Sequence, residues 1–145
     1  MKDLRRAMFS LLWLGCSYGA VGSLTLEQIR SLPPAASQAI IFSRDIQPIF
    51  EASCIKCHGR GRDKGGFQLD TRETLLKGGD SGPVVVVGKS QESLLIELVS
   101  GLNPENMMPK KGSKLTRDQI GLLRAWIDQG LRWDAGVTFS RPAST

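Results

Sequence analysis

One short run constrains this chain more than any other feature, the order Cys54-Ile-Lys-Cys57-His58. Residues three and four apart share one face of a helical turn, so both thiols and the imidazole can face one flat group. A CxxCH run is the attachment signature of c-type haem, with the histidine on the iron. The sequence therefore predicts one covalent haem c, held by Cys54 and Cys57, with His58 as the proximal iron ligand.

The same three residues admit two other uses, a redox disulfide and a zinc site. A thioredoxin-like CxxC pair normally follows a strand in a βαβ unit, whereas this pair ends a helical pattern with no sheet nearby. A structural zinc site needs four ligands, and beyond residue 23 the chain has no further Cys or His. Haem is therefore the interpretation that uses all three residues.

The single histidine also limits the ligand on the other side of the iron. Bis-histidine ligation within the chain is excluded, which leaves methionine, lysine, or an open or water-bound site. Beyond residue 23 the methionines are Met107 and Met108, and Pro109 favours an extended loop backbone at Met108. We predict Met108 as the distal iron ligand, with Met107 next. The lysines within residues 110–114 are close enough in sequence to be substitutes.

Residues 1–23 have the layout of a secretory signal peptide, with a basic head, the apolar stretch Ala7 to Gly15 and then small residues. That stretch is too short to cross a bilayer as a helix. We therefore expect a periplasmic or otherwise exported protein. Cys16 lies where a bacterial lipoprotein has its acylated cysteine, although Trp13 stands where that signal usually has Leu. A membrane tether is expected only if Cys16 is lipidated.

The charge pattern favours protein partners over nucleic acid. The formal net charge is +5, and residues 1–23 contain three basic residues and one acidic residue, so the remainder has +3. The basic residues form no dense stripe with interleaved aromatics, as a nucleic-acid surface would. A modest positive face can steer an acidic protein, so we expect redox partner proteins and no nucleic acid.

Helical periodicity predicts an all-α fold, a small bundle wrapped around the haem. A chain of 145 residues has room for one domain of ordinary size. We assign residues 24–39 to an N-terminal helical extension and linker, residues 40–134 to the domain itself and residues 135–145 to a C-terminal tail. Residues 84–87 form the only β-like run, and a single strand cannot make a sheet.

Capping residues set the expected helix bounds. Capping boxes are expected at Thr25 and Thr116, each with a glutamine three residues later. Asp45 is expected to cap the helix that carries the CxxCH run at its end, and residues 71–77 and 90–100 are expected to be helical. The apolar side chains that can line the haem are Phe50, Phe67, Leu69, Leu95, Leu98 and Trp126.

Several separate motifs, in their order, resemble the planctomycete-type cytochrome c domain. The likeness covers roughly residues 40 to 134, and it implies a class I cytochrome c-like fold. It also implies Cys54 and Cys57 as thioether sites, His58 as proximal ligand and Met108 at the distal position. Lys110 departs from the family, which often has a second proline there. The motifs are FSRDIQPIF at 42–50, CIKCHG at 54–59, KGGFQLD at 64–70, KGGDSGP at 77–83, Met108-Pro109 and WIDQG at 126–130.

The function predicted from these residues is one-electron transfer by a mono-haem cytochrome. No residue pattern indicates bond-making catalysis, so we do not expect an enzyme. Two alternatives stay open: a haem-based sensor of small ligands with an open sixth site, and an electron-transfer subunit of a periplasmic dehydrogenase.

Overall fold

The computed structural model describes residues 24–139. The predicted signal peptide, with Cys16, and residues 140–145 lie outside that range. Within it the only β pairing is an isolated bridge between Gly79 and Gly82, which confirms the all-α prediction. The α-helices are α1 (Leu26–Ser31), α2 (Gln47–Ser53), α3 (Ile55–His58), α4 (Arg72–Lys77), α5 (Leu94–Ser100) and α6 (Arg117–Asp128). A π-helical turn, Phe42–Ile46, precedes α2, and 3-10 turns lie at Lys64–Gly66 and Ser90–Glu92.

Both predicted capping boxes are confirmed. The hydroxyls of Thr25 and Thr116 accept the backbone N–H three residues later, at 3.2 Å in each case. A third box, at Thr71, opens α4. Gly101, with φ +74°, ends α5 as expected, and Gly130, with φ +96°, follows the end of α6.

The prediction that Asp45 caps the helix before the CxxCH run is wrong. That helical segment begins earlier, in the π-helical turn, and Asp45 lies inside it. The Asp45 carboxylate instead accepts the backbone N–H of Ile41 at 2.8 Å. Phe42 and Ile46, four residues apart, are both 0% exposed. Burial of Phe42 therefore extends the helical segment backward, past the residue that local preference favours as a cap.

The helix predicted over residues 90–100 is divided at Ser93. Ser90–Glu92 is a 3-10 turn, and α5 begins only at Leu94. The Ser93 hydroxyl accepts the N–H of Val86 at 2.9 Å and donates to the carbonyl of Lys89 at 2.9 Å. Ser93 precedes α5 as its N-cap residue, but its hydroxyl makes these loop contacts instead of a capping hydrogen bond. The contacts hold the valines at 84–87 against the start of α5.

Aromatic rings form the centre of the single hydrophobic core. The rings of Phe42 and Trp133 stack with centroids 3.9 Å apart, and Phe42 and Phe50 each lie 5.6 Å from Trp126. Phe139, in the segment assigned to the tail, is 5% exposed and joins the same cluster. The π-helical turn, α2, α6 and the C-terminal segment therefore meet around one set of rings.

The N-terminal extension packs against α6. Ala36 donates its N–H to the Gly121 carbonyl at 3.0 Å, and the guanidinium of Arg124, which is 7% exposed, donates to the Pro33 carbonyl. A Cβ at position 121 would lie 2.7 Å from the carbonyl oxygen of Pro34. Glycine at this position therefore permits the close approach of the extension. None of the helices within residues 24–139 is long and apolar enough to cross a membrane.

Gly121→Ala is expected to lower the free energy of unfolding by about 1–3 kcal/mol, the usual range for overpacking. Helix propensity alone predicts the opposite sign, because alanine is the better helix former by about 1 kcal/mol. Urea unfolding of both proteins measures the difference. Asp118→Ala, at an exposed position of α6, is the control and should change stability by less than about 0.5 kcal/mol. A Gly121→Ala protein more stable than the wild type would contradict the close packing.

Candidate functional site

Cys54, Cys57 and His58 lie together on one helical turn. The backbone N–H groups of Cys57 and His58 both donate to the Cys54 carbonyl, at 3.1 and 3.0 Å. All three residues are partly exposed, whereas Ile55 in the same turn is 3% exposed. The turn is therefore anchored in the core through Ile55, while Cys54, Cys57 and His58 are partly exposed and Cys54 also packs against the core.

The two cysteines are both free, so their sulfurs are available for thioether bonds. Cys54 packs against the hydrophobic core. Burial, with a smaller contribution from the neighbouring Cys57, raises the pKa of the Cys54 thiol to about 12. The Cys54 thiol is therefore protonated at neutral pH, and it lies where the helical turn meets the apolar interior.

The imidazole of His58 is oriented by the loop that follows it. Its Nδ1 lies 3.3 Å from the carbonyl oxygen of Phe67. A carbonyl oxygen can only accept, so Nδ1 is the donor in this contact, and a neutral ring that makes it has its lone pair on Nε2. Metal-bound histidines commonly donate their second ring N–H to such a carbonyl. The imidazole is therefore in the tautomer that an iron ligand at Nε2 requires.

Residues 67–70 support the CxxCH turn from behind. Leu69, which is 1% exposed, donates its N–H to the His58 carbonyl at 2.5 Å. The Asp70 carboxylate accepts the N–H groups of Arg60 at 2.6 Å and Gly61 at 3.2 Å. The sequence indicated Phe67 and Leu69 as haem-lining candidates and this segment as one motif of the resemblance. Its hydrogen bonds to residues 58–61 are tertiary contacts, and no local pattern in the sequence indicated them.

The glycine-rich loop at residues 78–82 packs against Gly65 and Phe67. Asp80 donates its N–H to the Gly65 carbonyl at 2.8 Å. A Cβ at Gly79 would lie 2.6 Å from the carbonyl oxygen of Gly65 and 2.9 Å from the Cβ of Phe67. Glycine at 79 therefore lets the two loops pack closely, and this packing holds Phe67 beside the imidazole.

Of the two adjacent methionines, Met108 is the one that packs against the same hydrophobic core as Cys54. Its N–H donates to the Leu98 carbonyl at 2.8 Å, which ties its loop to α5. The sulfur of Met107 lies instead 3.0 Å from where a Cβ of Gly101 would be. These contacts favour Met108 over Met107 as the distal ligand, and the assignment stays a prediction.

The lysines that could replace methionine are exposed. The ammonium group of Lys110 donates to the Glu105 carbonyl at 2.7 Å, and that of Lys114 donates to the Pro109 carbonyl. Both groups are therefore engaged with the backbone of their own loop.

The donor set fits a covalently held haem. Two free thiols three residues apart, an imidazole whose Nδ1 faces a carbonyl oxygen and a core-packed thioether are the groups that such a cofactor uses. Among the described residues, no group of three or more His, Cys, Asp or Glu side chains could hold a metal ion without it. Of the predicted haem-lining residues, Phe50, Phe67, Leu69, Leu95 and Trp126 are buried in the core, and Leu98 is partly buried.

A surface groove of about 430 Å³ lies elsewhere, between the extension and the first half of α6. Pro33, Pro34, Arg117 and Leu122 are among the residues that line it. The groove is not lined by the predicted haem-binding residues, Cys54, Cys57, His58 and Met108. The groove therefore has no part in the site described above.

Comparison with known proteins agrees with this site. Residues 54–112 match the family model described as Planctomycete cytochrome C, which confirms the resemblance and indicates a cytochrome c-type haem protein. The chain is also similar to hydrazine synthase subunit alpha of Kuenenia stuttgartiensis, at 26% identity over 147 aligned positions. That alignment covers 81% of this chain and 18% of the relative, so the chain spans less than a fifth of that protein's length. No solved structure gives a significant match.

Cys54 is expected to resist alkylation in the haem-free chain, because the thiolate is the reactive form. In Cys57→Ala, we expect iodoacetamide at pH 8 to label folded protein slower than urea-unfolded protein by on the order of 100-fold or more. Intact mass against time gives the rates, with Cys54→Ala as the control for access of the reagent to this turn. Equal rates for folded and unfolded Cys57→Ala would show that the thiol is not buried as described.

Proposed function

We propose that this chain is an exported mono-haem c-type cytochrome that carries one electron at a time between protein partners. The observation that carries the proposal is the single helical turn with two free thiols and an imidazole whose Nδ1 faces the Phe67 carbonyl. The family match supports it, because residues 54–112 include Cys54, Cys57, His58 and Met108.

Each site residue has a distinct role in this proposal. Cys54 and Cys57 would form the two thioether bonds, while His58, through Nε2, and Met108, through its sulfur, would be the iron ligands. A bound haem would supply the couple between ferrous and ferric iron. The contact of His58 with Phe67 keeps the imidazole in one tautomer and one orientation, so the ligand need not reorganise as the charge on the iron changes.

The surroundings of the site suit a carrier. Ile55 and Leu69 are buried behind the CxxCH turn, and an apolar shell with His and Met ligands favours a raised reduction potential. Lys56 and Arg60 are exposed near Cys57 and His58 in sequence. Basic side chains at that edge would attract a redox partner with an acidic surface.

Export is part of the proposal and is supported by the layout of residues 1–23. The mature protein would then work in the periplasm or elsewhere outside the cytoplasm. It would be tethered to a membrane if Cys16 were acylated.

A second candidate function is an electron-transfer subunit within a larger enzyme. The similarity to a protein named as a hydrazine synthase subunit favours it. In that case the catalysis belongs to a partner, because the described residues of this chain indicate a haem site alone. Co-purification of the mature protein with an oxidoreductase, stable to salt, would support this candidate over a diffusing carrier.

Protein matured in a host competent for cytochrome assembly is expected to retain its haem after denaturation. Intact mass then reports the porphyrin, signal cleavage and acylation of Cys16 together. The double variant Cys54→Ala/Cys57→Ala should lose the covalent porphyrin, because both thioether bonds are removed. Cys16→Ala is the control and should leave the porphyrin mass in place. A colourless wild-type product with both thiols reactive would exclude the proposed function.

Methionine ligation is expected to give ferric protein a weak absorption band near the red edge of the visible spectrum, from charge transfer between sulfur and iron. The band should vanish in Met108→Ala and persist in Met107→Ala, which is the matched control. If neither substitution changes the spectrum, Met108 is not the distal ligand. Ready binding of a small gas by the wild-type ferrous protein would then favour the haem-sensor alternative.

A further inference from the structure

Asp70 is a buried carboxylate directly behind the CxxCH turn and is 7% exposed. Its Oδ1 accepts the N–H of Arg60 at 2.6 Å, and its Oδ2 accepts the N–H of Gly61 at 3.2 Å. The ion pairs found within residues 24–139 involve other carboxylates, those of Asp45 and Glu92. Asp70 therefore has backbone N–H groups as its partners and forms no ion pair with a basic side chain of the described residues.

The backbone N–H groups of Arg60 and Gly61 point toward the same carboxylate. Two successive backbone N–H groups that converge on one carboxylate form an anion-binding concavity. Arg60 has φ +57° and Gly61 has φ +78°, so both lie in the left-handed region, which is unfavourable for a residue with a side chain. The two hydrogen bonds to Asp70 offset that cost at Arg60. The carboxylate thus determines the backbone path immediately after His58.

Leu69 and Asp70 also hold the backbone at His58 and Gly59. Leu69, next to Asp70, donates to the His58 carbonyl at 2.5 Å. A Cβ at Gly59 would lie 3.2 Å from Asp70 Oδ1, so the carboxylate lies close against the residue that follows the histidine. The Asp70 carbonyl accepts the N–H of Phe139 at 3.0 Å, which anchors Asp70 to the C-terminal segment.

We propose that Asp70 is a positioning residue for the iron site: its carboxylate clamps the turn after His58, and its charge lowers the reduction potential of the haem. The inference rests on the proposed function, because it requires a haem bound through His58. A fixed negative charge in a medium of low dielectric stabilises the ferric state, which has one more positive charge than the ferrous state. The charge acts on the reduction potential, whereas the hydrogen bonds act on the backbone after His58. Measurements of the potential and of amide exchange therefore test the two contributions separately.

Asp70→Asn in the holoprotein removes the charge and keeps one acceptor oxygen, for Arg60, while its NH2 group cannot accept from Gly61. We expect the midpoint potential, from equilibrium titration with redox mediators, to rise. The ratio of reduced to oxidised protein at a given potential should increase by about tenfold, which is about 59 mV for a one-electron couple. Asp70→Glu keeps the charge and should stay closer to the wild-type potential than to that of Asp70→Asn.

Asp128→Asn, at an exposed residue, is the control for the change in net charge. The Asp128 carboxylate likewise accepts a backbone N–H and a second donor, both from Ser90, at 2.7 and 2.9 Å. Its removal changes the net charge of the protein by the same amount, away from the CxxCH turn. A potential unchanged in Asp70→Asn, or shifted equally in Asp128→Asn, would overturn the inference.

Amide hydrogen exchange on the wild-type holoprotein tests the clamp even if Asp70→Asn fails to fold. Arg60 and Gly61 are exposed residues, yet their N–H groups should exchange much more slowly than those of an unstructured peptide. Exchange of both at the peptide rate would overturn the inference. Wild-type protein without haem would overturn the proposed function and this inference with it, whereas a haem-loaded wild type with unprotected amides overturns the inference alone.

Discussion

The contact between residues 67–70 and the CxxCH turn is the interaction on which the site depends. Helix α3 has four residues, and so short a helix has little stability of its own in water. It is held by Ile55 on the core side and by the hydrogen bond from Leu69 to the His58 carbonyl. The same segment sets the imidazole tautomer through the Phe67 carbonyl. Tertiary packing, more than helix propensity, therefore creates the chemistry of this turn.

Features encoded within a few residues could be predicted from the sequence. The capping boxes at Thr25 and Thr116 and the shared turn of the two cysteines follow from local spacing alone, and the structure has them. Asp45 was expected to cap its helix and does not, and the helix expected over residues 90–100 begins only after Ser93, whose hydroxyl makes no capping bond. At Asp45 the burial of Phe42 decided the outcome, because it extends the helix backward. At Ser93 the hydrogen bonds of the hydroxyl to Val86 and Lys89 decided it.

Other properties of the site arise only in the folded chain. Met107 and Met108 are neighbours with the same chemistry, and their contacts with Gly101 and with the core distinguish them. The clamp by Asp70 joins residues ten apart, and nothing in their local sequence indicates it. The family likeness does span these elements. Phe42 and Trp126 belong to the first and the last of the motifs on which the resemblance rests, and their rings are 5.6 Å apart, so motifs distant in sequence meet in the core.

The hydrogen bond from Phe139 to the Asp70 carbonyl makes the support of the CxxCH turn depend on the far end of the described chain. Synthesis runs from the N-terminus, so both cysteines and residues 67–70 are made well before Phe139. The C-terminal segment is therefore the last part of residues 24–139 that can join the packing around Asp70.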